Sequence, residues 1–146
     1  MVDIRITSER SEWKMAGKEA ERILERSLFF LKKKNCSLNL FLVTTSTMRR
    51  LNRIFRGKDA PTNVLSFEWQ KEFPHPDEKR RTRYLGEIFI APTVARRRGD
   101  HPPLLVVHGL LHLLGYTHKR VRDRIKMERT ETRLLKRISP EYVFKS

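Results

Sequence analysis

PPLLVVHGLLHLLGYTHK, residues 102–119, sets three histidines into an otherwise apolar segment. His108 and His112 stand four apart, the spacing that puts two side chains on one face of an α-helix. The helix is apolar all round, which predicts a central helix covered on several sides, and Pro102 and Pro103 suit its first turn. Gly115 favours the left-handed conformation that closes a helix, so the turn through Tyr116 and Thr117 can bring His118 back toward the other two. Three neutral imidazoles suit Zn²⁺ or a similar ion and leave one coordination position free, the arrangement of a catalytic site. The competing reading is a buried helix whose histidines only satisfy local hydrogen bonds. It requires partners for the imidazoles, and none is evident nearby in sequence.

In zinc peptidases of the H-E-x-x-H kind a glutamate follows the first histidine as general base. Here that position is Gly109, and no carboxylate lies within the motif, which argues against ordinary peptide hydrolysis. A glycine inside a helix costs about 1 kcal/mol relative to alanine and needs a reason; close approach by another backbone or by substrate is the simplest. A metal at this site would still polarise a phosphoryl oxygen, with proton transfer left to a group elsewhere.

Charge selects the substrate class. The 146 residues fit one domain, and 32 Lys plus Arg against 17 Asp plus Glu give a net charge of +15, well beyond what solubility requires. Basic clusters recur at 32–34, 49–50, 79–81, 96–98 and 119–120, so the charge is spread along the chain. Nucleic acid is the expected partner; an anionic membrane surface is a distant second, because no amphipathic anchor accompanies the clusters. The single cysteine, Cys36, excludes an intrachain disulfide and reads as a small packing residue. The first ten residues lack the apolar region of a signal peptide, and no apolar run approaches a membrane span, so a cytoplasmic location is expected.

Periodicity predicts an α+β or mixed α/β domain. Strands are expected at Val2–Thr7, Leu38–Thr44, Val64–Trp69 and Tyr84–Ala91, with an exposed loop or hairpin connection across Lys71–Thr82. A helix over Ser11–Lys33 would bury Trp13, Ala16, Ala20, Ile23, Leu24 and Leu31. A second, near Ser46–Phe55, would bury Met48, Leu51 and Phe55. A last, basic helix carries Val121, Ile125, Glu128, Thr132 and Leu135 at helical spacing and ends before Pro140.

Three blocks in this order resemble the YbeY family of bacterial rRNA maturation factors, which are metal-dependent endoribonucleases. His108, Gly109, Leu111, His112, Leu113, Gly115, Tyr116 and His118 match a pattern close to H-G-x-L-H-L-x-G-Y-D-H. Residues 51–67, LNRIFRGKDAPTNVLSF, match a second block, and 85–90, LGEIFI, a third. The resemblance implies an α+β fold: one domain over 1–146 with a mixed four-stranded sheet, one strand antiparallel, flanked by helices. It implies a single-strand-specific endoribonuclease acting in small-subunit rRNA maturation and ribosome quality control, with one zinc on His108, His112 and His118. Its partners would be single-stranded RNA and ribosomal subunits. Two positions depart from the pattern. Thr117 stands where many relatives have aspartate, and Glu87 replaces aspartate in the third block, where it is a candidate acid/base with a structural strand carboxylate as the alternative.

Arg56 is the candidate substrate contact. It lies where a helix gives way to a loop, and a planar guanidinium binds phosphate bidentately; the alternative is an ion pair with Asp59 or Glu87. Asn63 and Ser66 are candidates either for orienting groups near the metal or for a turn and a strand. Two other functional classes stand beside the nuclease: an RNA-binding assembly factor with a structural metal, and a metallohydrolase of peptides or small molecules, disfavoured by Gly109 and the charge.

Overall fold

Alternation of side chains decides the first layer. In β1 (Val2–Ser8), Val2, Ile4 and Ile6 pack against the main core while Asp3, Arg5 and Thr7 face solvent, as a period of two requires. The computed structural model describes residues 1–70, 72–73 and 82–141. β1 pairs in parallel with β2 (Cys36–Leu42), which pairs in parallel with β4 (Arg83–Ile90). β3 (Val64–Glu68) runs antiparallel to β4 and forms the edge of the sheet, whose order is β1-β2-β4-β3. This is the mixed four-stranded sheet with one antiparallel strand, in a single α+β domain. The expected loop at Lys71–Thr82 falls mostly outside the described residues.

One face of the sheet carries the main core. α1 (Lys14–Phe30), α4 (Pro102–Leu113) and α5 (Val121–Ile138) pack together there, and Leu110, Leu111 and Leu113 of α4 are fully buried, as an all-round apolar helix demands. The opposite face is covered at one end by α2 (Thr45–Arg56), around Met48, Leu65, Phe67 and Phe89. A short helix absent from the sequence reading, α3 (Pro92–Arg98), follows β4, with Pro92 in its first turn and Gly99 as its left-handed cap.

Three helix faces differ from expectation. On α1 Ala16 is exposed and Gly17 lies inside, where a Cβ would stand 3.1 Å from Ile6 Cγ2 of β1, a tight contact that favours the smallest residue. On α5 Val121 and Ile125 are 64% and 41% exposed, while the inward stripe is Met127, Thr130, Glu131, Leu134, Leu135 and Ile138. Both stripes have helical spacing. The core formed by α1 and α4 selects the second, which carries the larger apolar surface. On α2, likewise, Phe55 is 61% exposed, although its ring lies 5.2 Å from that of Phe67.

Cys36 is buried at the start of β2, and burial pushes its thiol pKa up, which leaves it an inert packing group.

Candidate metal centre

The histidines converge as their spacing requires. α4 presents His108 and His112 one turn apart, with Nε2 atoms 3.1 Å from each other. Beyond Leu113 the chain turns through Gly115, at φ +97°, held by bonds from Gly115 N–H to the His112 carbonyl and from Tyr116 N–H to the Leu111 carbonyl. This returns His118 so that its ring stacks on His108 with centroids 5.0 Å apart and lies 5.0 Å from the His112 ring. Ligand nitrogens of the three lie within 4.8 Å of one another, and among the described residues no fourth His, Cys, Asp or Glu joins them. His108 and His112 are half-buried and His118 is exposed, so the group opens to solvent on one side.

What orients the rings comes from outside the motif. His108 Nδ1–H donates to the Glu131 carboxylate of α5 at 3.0 Å, and His112 Nδ1–H donates to the Tyr116 carbonyl at 3.1 Å. Those acceptors assign the proton of each ring to Nδ1 and leave Nε2 as a lone pair aimed at its neighbour. Two lone pairs facing each other at 3.1 Å repel unless a cation lies between them. Nitrogens on a tetrahedral zinc, with bonds of about 2.0–2.1 Å, stand roughly 3.3–3.4 Å apart, so the His108–His112 pair fits such an ion, with His118 in reach as a third donor. Burial holds His112 below the ordinary histidine pKa, and its two histidine neighbours push the same way. The neutral imidazole is the form that ligates.

Sequence reasoning missed Glu131. It is 7% exposed, yet it lies 23 positions from His108 on a helix whose buried face was misread. A carboxylate inside an otherwise apolar helical stripe was the available signal.

Gly109 has a packing reason. A Cβ there would stand 2.8 Å from Ile88 Cγ2 and 3.2 Å from Ser66 Oγ, so α4 rests directly on β3 and β4. The close approach comes from strand side chains, and neither another backbone nor substrate is needed to explain it. Ser66 Oγ also donates to the Gly109 carbonyl at 3.3 Å, tying the edge strand to α4 beside His108.

The remaining candidates sit elsewhere. Ser66 pairs with Ile88 on the face that meets α4, so the next pair along, Phe67 with Glu87, points to the opposite face. Glu87 therefore lies on the α2 side of the sheet. Arg56 is the last residue of α2, capped by Gly57, and is exposed. Among the described residues it forms no salt bridge, since Asp59 pairs with Arg49 at 2.8 and 3.1 Å. Asn63 has a turn role: its side chain donates to Asp100 at 3.0 Å and accepts from Val64 N–H at 2.8 Å.

Comparison with known proteins places the chain in a family. The family model described as Endoribonuclease YbeY matches residues 3–139. Endoribonuclease YbeY of Francisella tularensis subsp. novicida strain U112 is 38% identical over 109 residues, covering 69% of this chain and 67% of its own length. The protein of the same description from F. tularensis subsp. tularensis strain WY96-3418 is 37% identical over the same length, with the same coverage. The solution structure of TM1509 from Thermotoga maritima aligns with a TM-score of 0.61 over 97% of this chain and 93% of that one, at 25% identity.

Proposed function

This chain belongs to the Endoribonuclease YbeY family, and on that premise we propose that it is a zinc-dependent endoribonuclease for single-stranded RNA, acting in the cytoplasm on the small-subunit rRNA 3′ end and in ribosome quality control. The observation that carries the reading is the convergence of His108, His112 and His118, two of them with their Nε2 lone pairs fixed inward by Glu131 and the Tyr116 carbonyl. When bound, zinc supplies Lewis acidity toward a phosphoryl oxygen or a nucleophilic water.

The protein's own residues do the rest. Glu131 and the Tyr116 carbonyl hold the His108 and His112 imidazoles in one tautomer, so these two rings are already oriented for an ion. His118, on the exposed side, leaves room for the RNA backbone to approach. The net charge of +15 draws a polyanion to the surface. Arg56, with no salt bridge among the described residues, binds a backbone phosphate; because α2 lies across the sheet from α4, that phosphate belongs to RNA crossing the β3 edge. Glu87 has no part in this proposal, since its strand position directs it away from the histidines.

The test is incubation of zinc-loaded protein with single-stranded RNA, duplex RNA and single-stranded DNA, with identically prepared His112→Ala as control. Internal cleavage of the single-stranded RNA alone, lost in the variant, is the expected result. Cleavage that survives in His112→Ala, or equal cleavage of the duplex, overturns the reading.

A further inference from the structure

The turn that leads into His118 also walls a cavity of about 510 Å³, between the end of α1 and one face of α5. Four cations line it: Lys32 and Lys33 after α1, and Lys126 and Arg133 seven residues apart on α5. Asp123 is the one acid in the lining, so three positive charges are in excess. Among the described residues none of the four cations pairs with a carboxylate. Two aromatic rings share the wall, Phe30 and Tyr116, with Lys126 Nζ 5.7 Å from the Tyr116 ring centroid.

Lys32 adds a second observation. Its φ is +57°, the left-handed region that glycine occupies without cost and a residue with a Cβ does not. The position closes α1, with Lys32 N–H bonded to the Phe29 carbonyl and Lys33 N–H to that of Leu28. Such a turn favours glycine. A lysine is strained there, and its side chain lines the cavity.

We propose that this cavity is a nucleotide subsite for the RNA substrate, holding the phosphate and base that flank the scissile bond. The inference rests on the endoribonuclease reading. Cations bind the backbone and ring faces stack on bases, the combination that recognises single strands. The volume lies in the range of sites that enclose a small-molecule-sized group. Tyr116 and Thr117 line the cavity and are followed directly by His118, and the Tyr116 carbonyl accepts from His112 Nδ1–H, so the cavity wall and the histidine centre share one turn of chain. A planar membrane surface does not reach into such a concavity.

Lys32→Gly is the decisive variant, because it removes the charge and relieves the backbone at once. Single-turnover cleavage of a labelled single-stranded RNA should show a half-saturating protein concentration raised roughly fivefold, the scale of one charge-assisted phosphate contact. The maximal rate, zinc content and thermal midpoint should not fall. Lys126→Ala should behave alike, whereas Lys14→Ala, which removes the same charge at the far end of α1, should stay close to wild type. Equilibrium binding of the same RNA in a His112→Ala background reads the cavity without cleavage; there Lys32→Gly should make the log–log salt dependence shallower by about 0.7. Wild-type affinity in Lys32→Gly, or a loss matched by Lys14→Ala, overturns the subsite and leaves the nuclease assignment standing. Absence of cleavage in wild type, with weakened binding in the cavity variants, defeats the nuclease assignment instead. An effect on a free mononucleotide with none on RNA also overturns the subsite.

Discussion

The two faces of the sheet carry motif residues of similar density and use them differently. On the α4 face, His108, His112 and His118 are brought to one point, and their neighbours serve that convergence: Glu131 and the Tyr116 carbonyl fix the rings, and Gly109 lets α4 lie on Ile88. On the α2 face, the block from Leu51 to Phe67 spends most of its polar groups on its own loop. Asn52, 5% exposed, donates to the Ala60 carbonyl at 2.8 Å, Arg49 grips Asp59, and Asn63 bonds Asp100 and the Val64 amide. Arg56, at the end of α2, is exposed and forms no salt bridge among the described residues. A sequence block therefore signals a constrained structure; which part does chemistry depends on where the unspent polar groups point.

The comparison breaks most visibly at the ligands. Alanine at His108, His112 or His118 should weaken zinc binding by more than about 100-fold, beyond what loss of an outer hydrogen-bond partner costs, and abolish cleavage. Elemental analysis after desalting checks this. Full occupancy in His118→Ala would mean that the returning turn contributes nothing.

Glu131 should come next. Glu131→Ala should cost about 10–100-fold in zinc affinity, and Glu131→Gln should recover part of it, because an amide oxygen still accepts from His108 Nδ1 without the charge. Competition with a chelator measures both. If the two variants lose zinc equally and melt equally early, Glu131 is only a packing element of α5.

Gly109→Ala probes the seating of α4. With Ile88 Cγ2 2.8 Å from the new methyl group and Ser66 Oγ at 3.2 Å, α4 must lift, at an expected cost of about 1–3 kcal/mol by urea denaturation. Retained stability would show that the strands yield without penalty.

The smallest effect is expected on the α2 face. Arg56→Ala should fold and hold zinc normally, raise the RNA concentration for half-saturation several-fold, and make the salt dependence of binding shallower by about 0.7. A fall in maximal rate of about 100-fold with unchanged affinity would instead place its guanidinium on the scissile phosphate and erase the contrast between the faces.

Much of this was legible in the chain. The four strands and the four longer helices follow from periodicity and apolar runs, and the histidine cluster follows from a spacing of four plus a glycine-closed turn, because these are local properties of a few consecutive residues. α3 was missed because seven residues carry too little periodic signal. The faces of α5 were confused because Val121–Leu135 and Met127–Ile138 both satisfy helical spacing, and the choice between them is made by α1 and α4. Glu131 fell with that choice. Glu87 is a candidate acid/base only because it stands where the third block has aspartate; in a strand every second residue faces away, and the register of β3 against β4 puts it on the side away from the histidines.

The chain by itself determined the donor set, the charge that draws a polyanion and the order of the elements, since helical spacing, turn chemistry and formal charge need no distant partner. Only the tertiary structure decided which carboxylate reaches His108, why Gly109 has no side chain, and where Glu87 and Arg56 lie relative to the three histidines. Each of these depends on contacts between segments far apart in sequence, where a shift of one residue in strand register or of one face on a helix redirects the side chain altogether.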